Sequence, residues 1–184
     1  MKRAFVVGER LYLRPIEVED ITEDYLDWVN DEEVIEGVEI YAPVTYEEQK
    51  KYIQGMIDNP NVSFFAVCET ATEQIIGTCR LAINWVHRYA INTCFIGDKT
   101  CWGKGYGTEV VTLLVKHAFL RLNLSKVYAS VKADNVGSIR NYEKAGYHLE
   151  AVFKDRCWSK GRWVDGLEYV ITRKDWSMEE YYRK

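Results

Sequence analysis

Hydrophobic and polar positions first alternate over residues 9–15, where Leu11 and Leu13 interleave with Tyr12 and Arg14, the two-residue period of a strand. The period then changes. Ile21, Tyr25, Leu26 and Val29 recur at helical spacing behind Asp20, a capping residue type, and predict a helix over 20–29. Thr45-Tyr46-Glu47-Glu48 has the form of a capping box, in which a Thr oxygen and a Glu three residues on satisfy free amides reciprocally. The helix it opens offers Tyr46, Ile53, Met56 and Ile57 for burial and stops at Asn59-Pro60. Three apolar runs follow over 62–69, 74–85 and 88–96, separated by turns at 70–73 and 86–87, and read as an antiparallel meander. Beyond a glycine cluster at 97–107, Val111, Leu114, Val115, Ala118 and Leu122 mark an amphipathic helix over 108–123. A strand over 126–131, a helix over 136–145 stopped by Gly146, and strands over 149–156 and 165–171 complete the order β-α-α-β-β-β-α-β-α-β-β. An antiparallel run ahead of a β-α-β unit predicts an α/β class: a mixed, mostly antiparallel sheet flanked by helices, in a single domain over 1–184.

Composition narrows the class further. Of 184 residues 47% are hydrophobic and 28% charged, enough for a packed core and outside the disordered range. No apolar run approaches the ~20 residues that span a bilayer, and the start, MKRAFVVGERLYLRP, lacks the apolar stretch of a secretory signal. Five cysteines (Cys68, Cys79, Cys94, Cys101, Cys157) form no C-x-x-C pair, so neither a disulfide framework nor a metal site is expected, and the cytoplasm is the expected location. Charge is segregated. Residues 15–49 hold thirteen Asp and Glu and no Lys or Arg, a local −13, and the overall charge of −4 leaves −4 + 13 = +9 for the remainder. Either these acids are solvated helix faces, or they receive a cationic partner while the basic remainder holds a phosphorylated one. No arginine-rich stripe with interleaved aromatics marks a nucleic-acid partner.

Trp102-Gly103-Lys104-Gly105-Tyr106-Gly107 stands between a strand and the helix opening near Thr108. The first turn of a helix leaves backbone amides without partners at the positive end of its dipole, and glycines let the chain approach a ligand closely. Together they make an anion site suited to a pyrophosphate. The spacing is not that of a P-loop, three strands without crossover helices precede it, and a tight turn with a helix cap is the plain alternative. Farther on comes Asp134-Asn135-Val136-Gly137-Ser138-Ile139-Arg140-Asn141-Tyr142-Glu143-Lys144-Ala145-Gly146-Tyr147. Asn135 suits a helix N-cap, Gly146 a helix stop, and Tyr142, seven residues after Asn135, shares its helix face.

These two segments in this order, Trp-Gly-Lys-Gly-Tyr-Gly-Thr-Glu and then Asn-x-x-Ser-x-x-x-Tyr-Glu-Lys-x-Gly-Tyr, resemble the GCN5-related N-acetyltransferase (GNAT) superfamily. An early Leu-x-Leu-Arg-Pro and a late Gly-x-x-x-Asp at Gly161 and Asp165 are similar to its branch of ribosomal-protein N-terminal and spermidine N-acetyltransferases. The resemblance implies acetyl-CoA as the acetyl donor, its pyrophosphate on the amides of Gly103, Lys104, Gly105, Tyr106, Gly107 and Thr108. Trp102 opens the loop where many members carry Gln or Arg. The pantetheine arm would pair like an added strand along Phe95, Ile96 and Gly97, whose strand amides would also polarise the thioester carbonyl near Phe95 or Ile96. Asn135 would contact that arm, Lys104 and Lys144 could meet phosphates, and Tyr142 would be the general acid in a direct transfer without a covalent enzyme intermediate.

For the general base, Glu33, Glu36 and Glu39 lie in the segment expected near the acceptor, with a water chain as the alternative. His87 falls in a turn and His117 inside a helix, and Cys94 and Cys101 read as small buried hydrophobes. The acidity of the segment suits a polyamine, and Trp28, Tyr41, Tyr46 and Trp85 could wall the acceptor. The expected acceptor is therefore a small-molecule primary amine such as a polyamine or an amino sugar. A protein N-terminal α-amine and a non-catalytic acetyl-CoA-binding sensor are the alternatives. Trp158, Trp163, Trp176, Tyr181 and Tyr182 make the C-terminal region aromatic, suited either to packing or to a homo-oligomer interface.

Overall fold

The strand Leu11–Pro15 (β2) is apolar on both faces: Leu11 and Leu13 enter one core, Tyr12 the other, and all three are buried. A sheet built around such a strand needs helices on both sides. The structure, a computed structural model describing residues 3–176, supplies them. One eight-stranded sheet runs in the order β1 (Val6–Val7), β2, β3 (Val62–Glu69), β4 (Ile75–Asn84), β5 (Tyr89–Ile96), β6 (Lys126–Lys132), β8 (Arg162–Thr172), β7 (His148–Ser159). All neighbours pair antiparallel except β5 and β6, which are parallel. Helices α1 (Glu23–Asn30) and α3 (Tyr46–Ile57) cover one face through Tyr25, Val29 and Ile53. Helices α4 (Tyr106–Leu120) and α5 (Val136–Lys144) cover the other, where Val110, Leu114 and Tyr142 belong to one core with Leu11 and Leu13. A short α2 (Glu32–Ile35), capped by Asp31, follows α1.

The predicted class and order stand, with two short insertions, β1 and α2, too brief to show a period. Boundaries moved for identifiable reasons. Thr22, not Asp20, caps α1 by accepting from the Tyr25 amide, while Asp20 takes the Arg14 guanidinium at 2.8 Å. The Thr45–Glu48 capping box forms as expected. Behind it Ile53 is buried, yet Tyr46 and Ile57 are exposed, and the other buried position is Gln49, whose amide donates to the Tyr25 hydroxyl at 3.0 Å. The last two strands are longer than the apolar pattern implied, because a two-residue turn at Lys160 and Gly161, both in the left-handed region, continues the hairpin between them. Asp165 then receives the Lys154 ammonium and the Asp155 amide. Trp158 and Trp163 stand exposed as an edge-to-face pair, and Trp176 packs on Phe119; Tyr181 and Tyr182 lie outside the described residues. No helix among the described residues is long and apolar enough to cross a membrane.

His117 belongs to the core. Its ring stands edge-on to Phe5 and Phe65 at 5.5 and 5.4 Å, and burial, helped by the Arg121 charge, lowers its pKa to about 4. The unfolded chain therefore binds this proton more readily than the folded one, so stability present above pH ~6.5 declines as pH falls towards 4. The expected loss across that window is on the order of 2 kcal/mol. It should appear as a falling urea midpoint in circular dichroism, and His117→Met should flatten the decline.

Candidate active site

Strands β5 and β6 pair over only three residues, Tyr89, Ala90 and Ile91 with Lys126, Val127 and Tyr128, and then part. The Gly97 amide donates to the Ile76 carbonyl at 3.0 Å, which fixes the alternation along β4–β5. Thr93 and Phe95 consequently direct their N–H groups at β4, while Cys94 and Ile96 direct theirs into the gap. Of the two residues expected to polarise a carbonyl, only Ile96 thus has a free amide. Its own carbonyl is held by the Trp102 indole N–H at 2.9 Å.

Aromatic side chains fill the wedge behind the gap. The Tyr142 ring lies 5.3 Å from Tyr147 and 6.5 Å from Tyr169, and the Asn92 amide donates to the Tyr147 hydroxyl at 2.8 Å. Tyr142 is buried, lines the gap, and makes no hydrogen bond through its hydroxyl among the described residues. Burial, with a smaller contribution from Cys94, pushes its phenol well above the ordinary value, so it stays protonated.

The glycine turn is built by its dihedrals. Gly103 and Gly105 have φ of 72° and 80°, and Gly105 is the N-cap of α4, so the helix starts two residues earlier than expected. At Gly107 a Cβ would fall on the Asn141 side chain of α5, whose Oδ1 accepts from the Thr108 hydroxyl at 3.0 Å. Arg10 pins the turn from outside. Its guanidinium donates to Glu109 at 2.9 Å and to the Lys104 carbonyl at 2.8 Å, and lies 4.7 Å over the Tyr106 ring. The Tyr106 hydroxyl in turn donates to Glu69 at 2.6 Å. The first turn of α4 thus presents amides, while its one acidic side chain is paired with Arg10.

These elements enclose a cleft of about 700 Å³. It gathers Phe95, Ile96, Trp102, Gly103, Gly105, Tyr106, Gly107, Thr108, Asn135, Tyr142 and Lys144 as expected, together with Glu33 and Glu36. Asn135 caps α5 by accepting from the Ser138 amide, and its own amide faces Gly37. Two expected residues stand aside: Lys104, whose carbonyl is held by Arg10, and Gly97, which lies under the Trp28 ring with no room for a side chain. Cys94 and Cys101, expected to flank the cofactor region, line it as well, and Asp134, Arg140, Asn141 and Lys160 join the wall without having been foreseen. A second cleft of about 850 Å³ adjoins the first, the two sharing Gly37, Val38 and Phe95. Glu39 and Tyr41 line it; Trp28, Tyr46 and Trp85 do not. Trp28 packs on Gly97 instead. Trp85 sits in the β4–β5 turn, at the opposite end of β5 from Ile96 and roughly 23 Å along the strand.

The acidic segment finds many of its cations inside the molecule. Lys99 bridges Asp31 at 2.6 Å and Glu33 at 3.3 Å, Lys160 reaches Glu36 at 2.9 Å, and Lys132 donates to the Glu36 carbonyl at 3.0 Å. The Lys99 bond holds the Asp31 carboxyl below its ordinary range. Glu48 is taken up by its cap.

Residues 10–148 match the family model of the acetyltransferase (GNAT) domain, and the chain belongs to that family. It is an N-acetyltransferase whose donor is acetyl-CoA. Probable N-acetyltransferase YjcK of Bacillus subtilis (strain 168) is 32% identical over 180 residues, 91% of this chain and 97% of that protein. The fold is similar to that of the spermidine N-acetyltransferase from Vibrio cholerae, solved in complex with CoA and spermine, with a TM-score of 0.81 at 23% identity over 91% of this chain and 98% of that one. It is also similar to a GNAT-family acetyltransferase from Bacillus anthracis, with a TM-score of 0.80 at 22% identity over 92% and 99% of the two chains.

Replacing Gly107 by Ala should drive Asn141 away from Thr108 and separate the starts of α4 and α5. Stability is expected to fall by about 1–3 kcal/mol, the usual cost of overpacking. Titration calorimetry should show acetyl-CoA binding weakened by about ten-fold or more, as the loop amides lose their alignment.

Proposed function

We propose that the protein acetylates a primary amine of a small molecule, which enters through the second cleft and meets the thioester at Phe95. The carrying observation is that the two clefts share Phe95, next to the one expected strand amide, that of Ile96, left free by the parting of β5 and β6. The Vibrio cholerae enzyme of similar fold, solved with CoA and spermine, supports an acceptor of that size.

Acetyl-CoA supplies the activated acyl group. The amides from Gly103 to Thr108 at the start of α4 hold its pyrophosphate, and Lys144 adds a cation on the same wall. The Ile96 N–H faces the thioester carbonyl oxygen and stabilises the charge that grows there. The acceptor must lose a proton before it attacks the carbonyl carbon. Two acids of the segment line the second cleft; Glu48 is held in its cap, and Glu39, with no hydrogen bond or ion pair among the described residues, receives the proton directly or through water. As the C–S bond breaks, Tyr142 donates its phenolic proton towards the departing sulfur, and the second proton shed by the acylated nitrogen passes through water to restore the phenol. The same burial that raises the phenol raises a thiol, so donor and acceptor shift together. The products are an acetamide and CoA.

A thiol-release assay with acetyl-CoA and small amines, amino sugars and short peptides tests this reading. Turnover is expected on a small amine, and turnover confined to peptides, or binding without turnover, overturns it. Tyr142→Phe should lower kcat by about 100-fold while leaving acetyl-CoA affinity in place. Because the phenol is raised, kcat/KM should climb as the amine deprotonates and show no falling limb from Tyr142 below pH ~10.

A further inference from the structure

The geometry points to an acceptor that carries an anionic group, a carboxylate or a phosphate, at the end remote from its amine, with Arg80 as the residue that selects it. This rests on the proposed function and names its substrate class. Arg80 stands half-buried on β4, opposite Thr93 of β5. Its donors reach only neutral groups: the Thr93 hydroxyl at 3.4 Å, the Tyr52 hydroxyl at 3.2 Å and the Met56 sulfur at 3.4 Å. Arg14 holds Asp20 and Arg10 holds Glu109, while Arg88 and Arg173 spend their donors on backbone carbonyls; Arg80 alone of these five lines the second cleft. A half-buried guanidinium that lines a cleft and holds no carboxylate partner, among the described residues, has its strongest bonds still to make.

Arg80 tips the charge of the second cleft, whose other charged residues balance. Lys132 and Arg156 line it beside Arg80, against Glu39 and Glu48, so the lining sums to 3 − 2 = +1, and Glu48 is bound in its cap. Lys132 donates to a backbone carbonyl and the Arg156 guanidinium lies 4.4 Å from the Phe153 ring, neither one paired with a carboxylate among the described residues. A polyamine would bring like charge to these groups. A carboxylate or phosphate would meet the planar fork of Arg80 with two parallel bonds. Placement agrees: Thr93 precedes Phe95 by two residues, about 7 Å along the strand, which an aliphatic chain of a few carbons spans between anion and amine.

Initial rates with 5-aminopentanoate, 3-aminopropyl phosphate, pentylamine and spermidine test the assignment. In the wild type at least one anionic amine should exceed both pentylamine and spermidine in kcat/KM by about ten-fold or more, as one charge-assisted fork provides. Which anionic amine wins separates the carboxylate from the phosphate. Arg80→Gln should erase that preference, Arg80→Lys should restore part of it, and pentylamine and acetyl-CoA binding should stay within about two-fold, because neither engages the fork. Preference for spermidine or pentylamine in the wild type overturns the inference without any variant. An equal loss on every amine in Arg80→Gln overturns it as well, since that is the mark of a structural role. If no amine turns over, the proposed function fails. Calorimetric titration of the two anionic amines into CoA-saturated protein then decides separately: binding abolished by Arg80→Gln sustains the anion site, and no binding ends it.

Discussion

Two parallel strands held together for three residues and then forced apart are the constraint on which this molecule depends. Where β5 leaves β6, backbone groups that a sheet would normally consume face a cleft instead. The separation is held by bulk: Tyr142, Tyr147 and Tyr169 occupy the wedge, and Asn92, buried on β5, ties its amide to Tyr147. The same wedge brings a neutral phenol to the mouth of the gap. Fold and opening are therefore one arrangement, since Tyr142, which lines the cleft, also packs against the rings that fill the wedge.

Around that opening, charge is organised by what each group already holds. The thirteen acids between Pro15 and Gln49 look like an invitation to an external cation. Much of that demand is met from within, by Arg14, Lys99 and Lys160. What distinguishes the second cleft is the reverse situation, a guanidinium whose neighbours are all neutral. Counting charges along a chain ranks the acidic segment first; tracing partners across the sheet ranks Arg80 first.

Local features were legible in the sequence because their physics is local. The glycine turn, the Asn135 cap, the position of Tyr142 and the Thr45 capping box each depend on a few consecutive residues, and each is found where the pattern put it. Arg10, Glu69 and Glu109 were silent because their meaning arises only when β2, β3 and α4 converge on one turn. Arg80 was silent for the same reason, as its register opposite Thr93 decides which cleft it faces. Trp85 misled because an aromatic at a strand end carries no sign of which end of the sheet it occupies. The hairpin at Lys160 was hidden because its flanking strands are exposed and lack an apolar period.

The segment that roofs both clefts, around Glu33 to Val38, is moored to the sheet by lysines at the surface: Lys99 on Asp31 and Glu33, Lys160 on Glu36. Exposed pairs of this kind are worth little individually, about 0–1 kcal/mol, and salt weakens them. Beneath them Gly37 lies against the Asn135 amide, and Val34 is the one side chain of the segment that is buried. A roof fastened by ions at its rim and by one small buried side chain outside both core clusters is held more loosely than either core. Ionic strength then bears on the rim of the clefts far more than on Tyr142, which lines the first of them packed among aromatic rings.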